Sequence, residues 1–285
     1  MKPTFQEVKD RLRYVTFSDE DIDLRHFPDF LIIGPQRTGT TWLHGNLVEH
    51  PEVFMPVEKE LYYFNTLKDP STHPQRWGKV SSELSWYLNF FVPSQELLQE
   101  LNSQCESRFG EPYRPRVLGE GTATYAAGLT ADVIDEILTL NPAVKILTMV
   151  RDPIQRAWSH AKKDLSKLAD RPLEDVAEAE WIAFFDRWYQ RRCGHPSHYM
   201  PLWRERVPPE NLFVGRFVDI AREPVGLLQR VYRFLGISDD PKYIGESSQK
   251  RINPTQDSGI PPKLEAHLRA MFEDEMHLLQ GLDLI

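Results

Sequence analysis

A chain of 285 residues, 41% hydrophobic and 27% charged, is long enough to bury the core of one sizeable α/β domain. Its formal charge of −8 excludes a general nucleic-acid binder, and its two cysteines, Cys105 and Cys193, exclude a disulfide framework and suit a reducing compartment. The opening MKPTFQEVKD lacks the apolar run of a signal peptide and no apolar stretch approaches bilayer length, so a cytoplasmic protein without a membrane span is expected, as a single domain over residues 1–285 with its core at about 28–280.

In chain order, Phe30-Leu31-Ile32-Ile33 reads as a buried strand running into a glycine-containing turn. Thr40–Glu49 follows as a helix, with Leu43 and Leu47 four apart. Ser94–Arg108 gathers Leu97, Leu98 and Leu101 on one helical face, and Val117–Glu120 is a weaker strand. Ala131–Leu140 repeats Val133, Ile134, Ile137 and Leu138 at helical spacing. Lys145–Val150 is the clearest central strand, ended by Arg151-Asp152-Pro153. The helix Pro153–Leu168 then starts with proline in the first turn, where the missing N–H costs nothing. Asn211–Phe217 is a further strand, and Pro224–Leu235 and Pro262–Leu279 are helices; Leu67–Gly78 and Gly245–Pro262 read as irregular insertions. Strands separated by helices imply parallel pairing. The expected fold is α/β, a P-loop-type three-layer arrangement with a central, mainly parallel sheet flanked by helices.

The turn after the first strand is Gly34-Pro35-Gln36-Arg37-Thr38-Gly39-Thr40-Thr41. Such a strand–loop–helix aims backbone N–H groups at one point beside the positive end of the helix, and glycines let the backbone wrap an anion closely. The spacing is G-x-x-x-x-G, but Thr40 stands where a nucleotide triphosphatase places its lysine. The cation is Arg37, inside the loop, where it can bridge a 5′-phosphate and its leaving oxygen. The bland alternative is a tight turn with incidental glycines.

The run Gly34–Trp42 resembles the 5′-phosphosulfate loop of the sulfotransferase superfamily. The resemblance implies that Arg37 steadies the bridging oxygen of 3′-phosphoadenosine 5′-phosphosulfate, with Thr38, Gly39, Thr40 and Thr41 on the 5′-phosphate. Trp42 stands where the aryl and steroid branch stacks a tryptophan on adenine; core packing is its other reading.

An arginine at a strand's carboxyl end and a serine on the next helix can reach a second anion in the crevice where open α/β sheets bind ligands, and arginine's fork suits phosphate. The string RDPIQRAWS resembles the family's 3′-phosphate motif, which implies that Arg151 and Ser159 bind the 3′-phosphate and that Arg156 is a structural brace. Gln249–Pro254 resembles the segment that closes over the cofactor, with Arg251 the candidate for the 3′-phosphate and Lys250 the weaker one; a solvated charge pair is the alternative. Phe217 stands where a tyrosine near adenine is common. Two separated phosphate sites select a 3′,5′-bisphosphate over ATP, and the expected product is 3′,5′-bisphosphoadenosine.

Sulfuryl transfer needs the acceptor's proton removed and charge neutralised on the leaving phosphate; no metal is required where cations do the second task. Val57–Phe64 resembles the K-E-x-x-[FY]-F stretch of heparan sulfate sulfotransferases, which implies Glu60 as catalytic base with Lys59 assisting at the phosphosulfate. A solvated run is the alternative. His44, His50 and His160 read as surface or packing residues, and His195 with His198 makes only a weak metal pair. Gly119–Tyr125 resembles G-E-K-[ST]-P-x-Y, with Gly121 in place of the lysine and Ala123 in place of the proline, which leaves more of the electrostatic work to Arg37 and Lys59. Aromatics between Leu67 and Phe91 and between Leu168 and Met200 either line an acceptor pocket or form helix core.

The resemblance reaches from Phe30 to about Leu279. It implies a sulfotransferase of the heparan sulfate-like or bacterial branch, acting on a hydroxyl or amine of a small-molecule or saccharide acceptor. A P-loop nucleoside or shikimate-type kinase is the enzyme alternative, and Thr40 and the Arg151/Ser159 pair speak against it.

Overall fold

Strands β1 (Phe30–Gly34), β2 (Val53–Phe54), β3 (Val117–Gly121), β4 (Lys145–Val150) and β5 (Leu212–Arg216) form one sheet in the order β2-β3-β1-β4-β5, every pairing parallel. They come from a computed structural model that describes residues 2–19, 21–68, 81–168, 172–249 and 259–285. The order turns around β1: the chain leaves it for one edge, returns to its side as β3, and then crosses to its other side as β4. The crevice beyond the carboxyl end of such a central strand is where ligands bind in open parallel sheets.

β1 is buried along its whole length because helices cover both faces of the sheet, and its side chains alternate between two cores. Leu31 and Ile33 join the cluster that holds Ile134, Ile137, Tyr125 and Trp203. Phe30 and Ile32 join the opposite cluster, with Leu43, Leu47, Leu228 and Val231. Each such aliphatic side chain contributes about 1.5–3 kcal/mol on burial, so β1 is the rigid base from which the loop after it is launched. β1 and β4 slip register between Ile32 and Gly34, and Thr148 Oγ1 donates to the Gly34 carbonyl at 2.7 Å.

The expected helices form over Thr40–Val48, Gln95–Phe109, Ala131–Leu140, Pro153–Leu168, Pro224–Leu235 and Pro262–Gly281. In the Pro153–Leu168 helix the start is set by Arg151-Asp152-Pro153 itself. Asp152 Oδ1 accepts the Gln155 amide at 2.8 Å, capping a first turn in which proline's missing donor is no loss. Helices over Glu178–Phe185, Trp188–Cys193 and Pro196–Arg206 were not expected individually. They settle much of the aromatic question. Trp181, Phe184 and Phe185 are buried in a third core with Trp158, Leu268 and Phe272. Tyr87 and Phe91 are buried in the first core, whereas Trp188 is 66% exposed. Trp77 lies outside the described residues, as do 69–78 and 250–258 of the two expected insertions.

Candidate functional site

The loop after β1 is shaped by its glycines. Gly34 and Gly39 adopt φ of 102° and 96°, and Arg37 is left-handed at 69°. A Cβ on Gly34 would lie 2.0 Å from the Ala123 carbonyl oxygen, and one on Gly39 2.4 Å from Ile220 Cδ1. The loop therefore fits only because both side chains are missing. Thr38 is 1% exposed and its hydroxyl donates to the Pro35 carbonyl at 2.7 Å, which makes it a brace of the loop. Gly39 is the N-cap of the Thr40–Val48 helix and offers no capping side chain. The first-turn N–H groups at Thr40 and Thr41 are thus left for an incoming anion.

Around this loop the cationic residues converge. Arg37 Nε donates to Ser159 Oγ at 2.9 Å, joining the loop after β1 to the helix after β4. Arg151 Nη1 donates to the Arg37 carbonyl at 2.9 Å, and its guanidinium lies 4.1 Å from the centroid of the Phe217 ring. Phe217 in turn packs against Gly39, 3.3 Å from the position a Cβ would take there. Arg37, Gly39, Arg151, Ser159 and Phe217 therefore share one cleft. Burial, reinforced by Arg37, pulls Arg151 down to about 10, and burial also lowers Arg37 against the opposing pull of Asp164. Both remain cationic at neutral pH. Two adjacent half-buried guanidiniums repel one another, so the cleft gains from any polyanion that enters it.

On the other side of the loop, Lys59 Nζ stands 3.5 Å from Thr41 Oγ1. Burial lowers Lys59, with Glu60 opposing that shift. Burial raises Glu60, against the pull of Lys59, the Tyr62 side chain, Lys163 and the Ala123 backbone. Its Oε2 is buried and has no hydrogen-bond partner among the described residues. A carboxylate in that condition is suited to taking a proton from a group that comes within reach.

Gly121 is open to these neighbours. A Cβ there would lie 3.4 Å from Lys59 Cε and 3.1 Å from His44 Cδ2, so the lysine stem and the imidazole occupy the space beside it. His44 is pushed down to about 3 by burial and by Lys59, and is neutral at physiological pH.

Trp42 goes to the core. It is 3% exposed among Leu43, Leu47 and Tyr232, and its indole N–H donates to the Ser248 carbonyl at 2.9 Å. Lys250 and Arg251 lie outside the described residues. Several contacts near the cleft were not part of the sequence reading. Tyr189 donates to Gln36 Oε1 at 2.6 Å, tying an acceptor-side helix to the loop after β1. Arg156, His160 and Asp164 form an i, i+4, i+8 ladder, with contacts of 3.3 Å at each step. That spacing was the available signal. Among the described residues no group of three or more His, Cys, Asp or Glu could hold a metal, and no helix is long and apolar enough to cross a membrane.

Known proteins share this arrangement of chain. Two curated relatives are bifunctional heparan sulfate N-deacetylase/N-sulfotransferases. The mouse type 4 enzyme is 24% identical over 255 residues, 85% of this chain and 26% of the relative; the Drosophila melanogaster enzyme is 28% identical over 229 residues, 74% and 20%. The chain thus spans about a quarter of the length of these relatives. Among solved structures, a sulfotransferase from Alicyclobacillus acidocaldarius superposes with a TM-score of 0.58 at 23% identity, over 90% of this chain and 95% of that one. The sulfotransferase domain from the curacin biosynthetic pathway gives 0.51 at 14% identity, over 86% and 96%. Both share the fold. The model of the sulfotransferase family matches residues 28–241, more than half of the sequence, and the chain belongs to that family.

Proposed function

We propose that this chain transfers the sulfuryl group of 3′-phosphoadenosine 5′-phosphosulfate to a hydroxyl or amine of a saccharide or small-molecule acceptor. The observation that carries the reading is the 2.9 Å contact between Arg37 and Ser159, which puts the loop after β1 and the helix after β4 on one cleft. Two cationic sites joined this closely suit a nucleotide with phosphates at both ends of its ribose.

The residues present fit that donor. The uncapped first turn at Thr40 and Thr41, together with the backbone N–H groups of Thr38 and Gly39, would hold the 5′-phosphate; Arg151 and Ser159 would hold the 3′-phosphate, with Phe217 beside the base. The donor supplies the sulfuryl group and a bisphosphate leaving group. Arg37 neutralises charge at the leaving oxygen, assisted by Lys59. Glu60, raised by burial and with one oxygen unpaired, accepts the acceptor's proton as the new bond forms. These cations do the work for which other phosphate chemistry uses a metal. Names of the relatives make an amine on a heparan-type saccharide the first acceptor to try.

Thermal shift tests the donor. Protection by 3′,5′-bisphosphoadenosine without magnesium is expected, and protection by Mg-ATP alone would overturn the reading in favour of a kinase. Labelled phosphosulfate donor, offered N-deacetylated heparosan and a panel of phenols, then reports the acceptor class.

A further inference from the structure

Glu120 sits on β3, 2% exposed, and three hydroxyls converge on its carboxyl group. Tyr87 donates at 2.5 Å, Thr122 at 2.5 Å and Tyr125 at 2.9 Å. Two of these hydroxyls also serve the segment that follows Glu60. Thr122 Oγ1 accepts the Leu61 amide at 3.2 Å and the Tyr62 amide at 3.4 Å, and the Tyr125 hydroxyl accepts the Phe64 amide at 3.4 Å. The third, Tyr87, stacks on Tyr63 with centroids 4.3 Å apart. Every residue from Leu61 to Phe64 is therefore one group away from Glu120.

Donor and acceptor roles explain why a carboxylate belongs there. It can only accept, so the hydroxyl protons of Thr122 and Tyr125 must point at it. Their lone pairs are then turned toward the backbone amides. An apolar residue at 120 would leave both hydroxyls free to rotate. Glu60, for its part, has one oxygen with no partner among the described residues, while the Tyr62 side chain and the Ala123 backbone bond the carboxylate, so the segment that carries Tyr62 helps set its aim.

We propose that Glu120 is a positioning residue for Glu60: by accepting hydrogen bonds from the hydroxyls of Thr122 and Tyr125, it fixes the segment that presents the Glu60 carboxylate to the cleft. This rests on the reading of Glu60 as the group that takes the acceptor's proton. Burial, with Glu60 adding to the push, raises Glu120 to about 7, so the cluster gains its full set of acceptors only as pH rises beyond that value.

The test uses the full chain labelled with 13C-glutamate, the Glu60 carboxyl resonance being the one lost in Glu60→Gln. Lys59, Tyr62, Lys163, Tyr189 and Glu120 are the titratable groups that act on or feel Glu60. Thr122→Val keeps the shape and removes the hydroxyl. The loosened segment hydrates, the Glu60 midpoint falls toward the ordinary carboxylate range, and exchange of the Leu61 and Tyr62 amides speeds up about tenfold, as for one lost hydrogen bond. Thr122→Ser restores both. Glu120→Leu, which removes every acceptor from the two hydroxyls, lowers the midpoint too. Tyr125→Phe loosens the segment at Phe64 and stands in if the valine variant fails to fold. A Glu60 midpoint unchanged in Thr122→Val and Tyr125→Phe, or unrestored by Thr122→Ser, overturns the proposal. Failure of the base assignment is read separately, as full turnover in Glu60→Gln whatever the titrations give.

Discussion

The two walls of the cleft hold their chemistry in opposite ways. On the donor wall, Arg37 and Arg151 are pressed together beside Ser159 and an aromatic ring, a concentration of like charge. On the acceptor wall, Glu120 and the segment that follows Glu60 are held through neutral hydroxyls and backbone amides. The difference follows from the reach of the forces. Coulomb attraction falls slowly with distance, so a bisphosphate is captured even when a guanidinium is a little out of place. Proton transfer succeeds only within hydrogen-bond reach, so the group that performs it needs short, directional support.

If the walls divide the work in this way, substitutions on each should affect different measurements. The largest effect is expected for Glu60→Gln: turnover of the identified acceptor falls at least about a hundredfold while calorimetric affinity for 3′,5′-bisphosphoadenosine is unchanged. A loss of affinity instead would erase the distinction. On the proposed reading the same carboxylate should also set the acid limb of turnover. Because burial raises Glu60, the rate should decline with falling pH already above the usual range for glutamate, and a limb at the ordinary value would place the working carboxylate elsewhere. Arg151→Ala should weaken bisphosphoadenosine binding by about 1–3 kcal/mol, read by calorimetry, and leave saturated turnover nearly intact.

Glu120 offers a stability test. Its folded value of about 7 lies above the ordinary 4.5, so its contribution is fully present below 4.5 and is lost as pH rises through about 7. The wild-type melting temperature should fall by a few degrees over that window relative to Glu120→Gln, in which the titrating group is gone. The smallest effect is Trp42→Phe. Losing the bond to the Ser248 carbonyl should cost about 1 kcal/mol of stability with cofactor affinity unaltered; a large loss of affinity would give the indole the adenine role after all.

What could be read from the sequence followed how locally each feature is encoded. β1 and the loop from Gly34 to Thr41 were legible because strand, turn and helix start lie within a dozen residues and each glycine has a steric reason. Arg151-Asp152-Pro153 was legible for the same reason, as strand end, cap and first turn in one string. β2 was not, since two residues carry no period. Nor was the Glu120 cluster, whose donors come from residues 87, 122 and 125 and whose amides come from 61, 62 and 64. Trp42 sat between two readings because apolar bulk is equally good in a core and under a base, and only its neighbours, Leu43, Leu47 and Tyr232, decide between them.

The open space at Gly121 has a consequence for how the cleft can change shape. Lys59 fills it from the very segment that bears Glu60, so ammonium and carboxylate are consecutive residues on one piece of backbone. Had the cation come from β3 instead, each could shift alone. As built, a backbone displacement that moves one moves the other.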